Sequence, residues 1–132
     1  MVLTLDIGNT NIKCAVFEGD AMLHTWRVST VRHKTSDEFG IQLKMFLQYN
    51  GYGRKDIDGI IVSSVVPSIN FTIEHMIDDY FDVDPIWVAP GIKTGINIKY
   101  DNPQSLGADR ICNAVAAQAF YSSPCIFIDF EI

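Results

Sequence analysis

The stretch Leu3-Thr4-Leu5-Asp6-Ile7-Gly8-Asn9-Thr10-Asn11-Ile12-Lys13 decides how the chain is read. An apolar run ends at Asp6, then Gly8, Asn9 and Thr10 give a tight turn, and a second strand carries Lys13 away from it. Gly8 and Asn9 both tolerate positive φ, which predicts a hairpin. Such a turn can gather backbone N–H groups into a concavity that holds an anion. The Thr10 hydroxyl and the Lys13 ammonium add donors for phosphate oxygens. Asp6 sits where a carboxylate can orient water around Mg²⁺. The same residues also suit an ordinary hairpin in which Asp6 accepts from turn amides. Neither common phosphate motif is present: the spacing of G-x-x-x-x-G-K-[ST] is missing, and Gly51-Tyr52-Gly53 has no third glycine to complete G-x-G-x-x-G.

Outward from the hairpin, residues 1–7, 10–18 and 21–29 read as three strands of an antiparallel meander. In the second strand Asn11, Lys13, Ala15 and Phe17 share one face and Ile12, Cys14 and Val16 the other. His24 has no second ligand-type residue at metal spacing, so it reads as a partly exposed strand residue. Residues 31–35, with Arg32, His33 and Lys34, read as a solvated loop. A helix follows, with Ser36 as N-cap, Asp37 and Glu38 in its first turn, and Phe39, Leu43, Phe46 and Leu47 as its apolar stripe. Asn50-Gly51 ends it. The β-branched run within 57–66 predicts a central parallel strand covered on both faces. Pro67-Ser68 opens a second helix, with Ile69, Ile73, Met76, Ile77 and Tyr80 on its stripe. Residues 85–89 form a short strand, 91–103 an irregular stretch, 104–120 an alanine-rich third helix, and 125–128 a last strand that reaches Asp129.

The order β-β-β-α-β-α-β-α plus a final strand predicts an α/β fold: a five-stranded mixed sheet flanked by helices. At 132 residues the chain has the size of one domain, and 48% hydrophobic residues suffice for a core. A net charge of −6 argues against non-specific nucleic-acid binding, yet leaves room for a nucleotide site built from a few local donors. Cys14, Cys112 and Cys125 lack C-x-x-C spacing and read as inert free thiols of a reducing compartment. No apolar run reaches the roughly 18–20 residues that span a bilayer, and no signal-peptide pattern is visible. A cytoplasmic location without membrane contact is expected.

A second constellation opens the third helix: Leu106-Gly107-Ala108-Asp109-Arg110. The helix N-terminus stabilises an ionised Asp109. Gly107 and Ala108 leave room for a ligand, and Arg110 can fork onto a carboxylate. A carboxylate there can accept a hydroxyl proton during phosphoryl transfer, with the arginine holding an acidic substrate. A first-turn aspartate beside a surface arginine is the plainer alternative.

The N-terminal hairpin resembles the first phosphate loop of the actin-like, sugar-kinase-like ATPase superfamily, whose repeated unit is ribonuclease H-like. Asp6 to Lys13, Asn102-Pro103, Gly107 to Arg110 and Phe127-Ile128-Asp129-Phe130, in that order, resemble the N-terminal half of a type III pantothenate kinase, also called the Bvg accessory factor family. The resemblance implies ATP-dependent phosphorylation of the pantothenate primary hydroxyl, the first step toward coenzyme A. It implies that Asp6, Ile7, Gly8, Asn9, Thr10, Asn11, Ile12 and Lys13 contact ATP, with Asp6 near Mg²⁺ through water. It implies Asp109 as general base, and Tyr100, Gly107, Ala108, Asp109 and Arg110 as the pantothenate site. Asp129 matches a monovalent-cation ligand (K⁺ or NH₄⁺). A homodimer is also implied.

After Phe130 the family continues with Gly-Thr and a second domain, whereas Glu131-Ile132 stand here. Glu131 would repel nucleotide phosphates. Residues 1–122 are therefore expected to form the ribonuclease H-like domain, and 123–132 the first strand of a second domain otherwise missing, as in a truncated form. Two alternatives stand beside the kinase: a non-catalytic binding or regulatory module, and another small-molecule kinase of the actin-like fold.

Overall fold

A computed structural model describes residues 1–130. The expectation placed on Glu131 lies outside the described residues. Strands β1 (Val2–Ile7), β2 (Asn11–Glu18) and β3 (Ala21–Ser29) form the antiparallel meander. Helix α1 (Ser36–Tyr49), β4 (Gly59–Ser64), α2 (Asn70–Phe81), β5 (Ile86–Trp87) and α3 (Ala108–Phe120) follow. The sheet order is β3-β2-β1-β4-β5, with β4 parallel to β1 and β5 parallel to β4. This is the five-stranded mixed sheet that the element order predicts.

Period-two alternation gives the sheet two different faces. Leu3, Leu5 and Ile7 of β1, Ile12, Cys14 and Val16 of β2, and Ile60 and Val62 of β4 are buried. They pack with Phe39, Leu43 and Leu47 of α1 and Ile73, Met76 and Ile77 of α2 in one core. Helices α1 and α2 therefore close one face. They approach so tightly that a Cβ on Gly40 would lie 2.4 Å from the Tyr80 ring. The opposite face carries Thr4, Asp6, Lys13 and Ser63, and α3 packs there against β4. Ser63 is buried, but Ile61, on the same face, is 37% exposed. The β-branched run of β4 thus overstates its cover: α3 roofs only the carboxyl end of the strand.

Several boundaries differ from expectation: β4 and β5 are shorter than 57–66 and 85–89, and Pro67–Ile69 is a 3₁₀ turn, so α2 proper starts at Asn70. The N-cap of α1 is Thr35, not Ser36, because Thr35 and Glu38 make a reciprocal capping box: Glu38 N donates to Thr35 Oγ1 and Thr35 N to Glu38 Oε1, each at 3.2 Å. Helix α3 begins at Ala108 rather than Gln104. Pro103–Ser105 forms a separate 3₁₀ turn, and Leu106 and Gly107 are extended. Residues 125–130 are exposed and carry no strand. A strand needs a neighbour for its ladder, and no described residues supply one there.

Candidate active site

The turn between β1 and β2 is closed by Gly8 N–H donating to Asn11 O at 2.9 Å. It does not use left-handed backbone: neither Gly8 nor Asn9 has a positive φ, contrary to the hairpin chemistry expected of the pair. Glycine at position 8 suits a close approach instead, since a Cβ there would sit a tight 3.1 Å from the backbone oxygen of Asn11. The Gly8 amide is thereby engaged, which leaves the Asn9 and Thr10 amides as the turn's remaining candidate donors. Ile7 and Ile12 send their side chains into the core, at 0% and 2% exposure. Any contact they make with a ligand must be through the backbone. Strand register sets Asp6 opposite Lys13 on β2 and opposite Ser63 on β4.

At the start of α3, Asp109 folds back on its own backbone. Its Oδ1 accepts from Arg110 N–H at 2.8 Å and would lie 2.6 Å from a Cβ on Gly107. The space that Gly107 leaves is therefore taken by the Asp109 carboxylate, not by open room for a ligand. Gly107 also lies against Val65, beyond the end of β4.

The residues flanking the turn and the first turns of α3 meet in one cleft of about 390 Å³, whereas Ile7, Gly8, Asn9, Thr10, Asn11, Ile12, Gly107 and Ala108 are not among its lining residues. Asp6 and Lys13 line it from the sheet. Asp109, Cys112, Asn113, Ala116 and Ala117 line it from α3, and Phe127, Ile128 and Asp129 from the segment after it. The α3 set follows i, i+3, i+4, i+7, i+8, one face of a helix. Asn113 Nδ2 donates to Asp129 Oδ2 at 2.9 Å and ties that segment to the helix. Burial pushes the Cys112 thiol up, and the Asp6 and Asp109 charges add to the rise, opposed by its contact with the Ser63 hydroxyl. That contact is of the weak sulfur kind, and Ser63 Oγ makes no hydrogen bond of standard geometry. The ammonium of Lys13 is the cleft's cationic lining group, and Asp6, Asp109 and Asp129 are its anionic ones.

The structure thus gathers Asp6, Lys13, Asp109 and Asp129 from three separate segments. Tyr100 and Arg110 are exposed and do not line the cleft. The sequence pattern alone does not single out Cys112 and Asn113 as lining residues; their helical offsets from Asp109, i+3 and i+4, are the signal that points to them. No group of three or more potential metal-ligating side chains occurs among the described residues. No helix among them is long and apolar enough to cross a membrane.

A meander continued by two parallel strands, with a polar turn and carboxylates at the carboxyl edge of β1, places the chain in the ribonuclease H-like class of α/β domains. Within that class the chain belongs to the type III pantothenate kinase family, whose profile matches residues 2–131. It is 54% identical over 130 residues to a type III pantothenate kinase of Geobacillus sp. (strain WCH70), covering 98% of this chain and 50% of that protein. It is 53% identical over 130 residues to the type III pantothenate kinase of Bacillus cytotoxicus, again covering 98% and 50%. The chain thus spans about half the length of these relatives. Among solved structures, the Lmo2764 protein from Listeria monocytogenes matches with a TM-score of 0.43 and 18% identity over 65% of this chain and 34% of that one, too partial a likeness to bear on function.

Proposed function

We propose that this chain carries the acceptor base and the first phosphate turn of an ATP-dependent pantothenate kinase. The observation that supports this is the shared cleft of Asp6, Lys13 and Asp109. Phosphoryl transfer needs positioning and charge neutralisation more than covalent chemistry. Asn9 and Thr10 offer amides to the phosphates, and Lys13 offers positive charge. Asp109 takes the proton from the pantothenate hydroxyl as its oxygen bonds the γ-phosphorus of ATP and the bond from that phosphorus to the bridging oxygen breaks, releasing ADP. Arg110, next to it and exposed, is assigned to the pantothenate carboxylate, and Tyr100, Gly107 and Ala108 to the rest of that site.

The donor set fits Mg²⁺ in its usual mode. One or two carboxylates with water and substrate phosphates suffice, and a dedicated protein cage is not required. Mg²⁺, when bound, neutralises charge on the transferring phosphoryl group, and Asp6 is the residue that would hold its water shell. Asp129 offers one carboxylate to a monovalent cation (K⁺ or NH₄⁺), steadied by Asn113. A homodimer and a cytoplasmic setting belong to the same reading.

Pantothenate-dependent ADP formation tests it, together with ATP titration of the same protein. Asp109→Asn should lower turnover about 10²–10⁴-fold with ATP affinity retained. Equal rates for the two proteins would remove Asp109 as the base. ATP binding without turnover in the unsubstituted chain would favour a binding module.

A further inference from the structure

We infer that Arg32, together with Thr30, is a positioning residue for the phosphate turn: it clasps Asn9 to the helical start after β4, and loss of the clasp weakens phosphate binding. The inference rests on the phosphoryl-transfer reading of the cleft.

The segment after β3 holds all three residues of the turn. Thr30 N donates to Thr10 O at 2.9 Å. Thr30 Oγ1 donates to Gly8 O at 2.7 Å. Arg32 Nη2 reaches Asn9 Oδ1 at 3.5 Å, while its Nη1 donates to Ser68 Oγ at 3.2 Å. Ser68 belongs to the 3₁₀ turn Pro67–Ile69 that follows β4. One guanidinium therefore spans the carboxyl ends of two neighbouring parallel strands. Those ends are already joined by Val65 N–H donating to Ile7 O at 3.0 Å. Open α/β sheets receive ligands at this edge.

Arg32 is exposed, so these bonds add little to overall stability. Their effect falls on what they touch. With the Gly8 amide engaged by Asn11, the aim of the Asn9 and Thr10 amides decides how well the turn grips an anion. Only a planar fork reaches Asn9 and Ser68 together; a lysine ammonium is a point charge without that geometry. The loop 31–35 is thus more than a solvated connection.

The test follows backbone amide signals of Gly8, Asn9 and Thr10 in the ¹⁵N-labelled 132-residue protein during titration with inorganic triphosphate and with Mg-ATP. In the unsubstituted protein the turn amides should shift and saturate. Arg32→Ala should weaken both ligands about tenfold, and Ser68→Ala by about two- to threefold. Arg32→Lys should recover only part of the loss, and the thermal midpoint should stay put in all three. Unchanged affinity in Arg32→Ala overturns the clasp, and so does full rescue by lysine, which would reduce Arg32 to bare charge. If triphosphate and ATP leave the unsubstituted turn unmoved, the phosphoryl-transfer reading itself falls, and this inference with it.

Discussion

The two faces of the sheet divide the work of the molecule. On the closed face Leu3, Leu5 and Ile7 meet two helices, and nearly every contact is apolar. On the other face Asp6, Lys13 and Ser63 meet a single alanine-rich helix, and a cleft remains. The same strand, β1, serves both, because successive side chains point opposite ways. One residue out of phase in β1 would put Asp6 into the core and Leu5 into the cleft. The closed face supplies stability, and the open face holds the polar groups that burial would penalise.

The contrast is most exposed to a core truncation. Phe39, 2% exposed, packs under the closed face, and Phe39→Ala should cost about 3–5 kcal/mol in urea unfolding. Asp109→Asn, on the open face, should cost only about 0.3–1 kcal/mol, the helix-terminus contribution. Equal losses would erase the division. A matched pair sharpens it further. Gly40→Ala drives a methyl into the Tyr80 ring and should cost about 1–3 kcal/mol. Gly107→Ala meets the Asp109 carboxylate, which can swing away, so thermal unfolding should barely change, and on the kinase function proposed above pantothenate-dependent ADP formation should fall.

The smallest effect concerns pH. Burial pushes the Cys14 thiol from 9.0 up to about 12. Below pH 9 folded and unfolded chains both keep this proton. Above it the unfolded chain loses the proton first, so stability should fall as pH rises from about 9 toward about 12. Cys14→Ala should flatten that slope. Persistence of the slope would place its origin elsewhere. In the native protein iodoacetamide should reach exposed Cys125 first, Cys112 more slowly, and Cys14 only after unfolding.

The meander, both stripes of the α1/α2 pair and the five-stranded mixed sheet are legible because period two and period 3.6 report burial directly, while the strand order β3-β2-β1-β4-β5 comes only from the structure. Asp6, Lys13 and Asp109 were legible because their residue types sit beside turn and helix-start signals. What escaped depends on contacts distant in sequence. The Asn9–Arg32–Ser68 clasp joins three loops, and no local pattern announces it. The exposure of Ile61 depends on how far α3 reaches, which β4 does not encode. Thr35, by contrast, carries a local signal: Thr35-x-x-Glu38 is a capping box, and Ser36 competes with it only because it stands beside the first acidic residues.

The place of β1 also has a consequence during synthesis on the ribosome. Leu3 pairs with Val16 on one side and with Ile60 on the other. The hairpin side can zip as soon as β2 emerges. The other edge must wait for β4, through the making of α1, at about 5–20 residues per second. For those seconds an unpaired strand edge rich in leucine is presented to the cell. Chaperone capture and chain-to-chain sticking should therefore concentrate in nascent chains that end between β3 and β4.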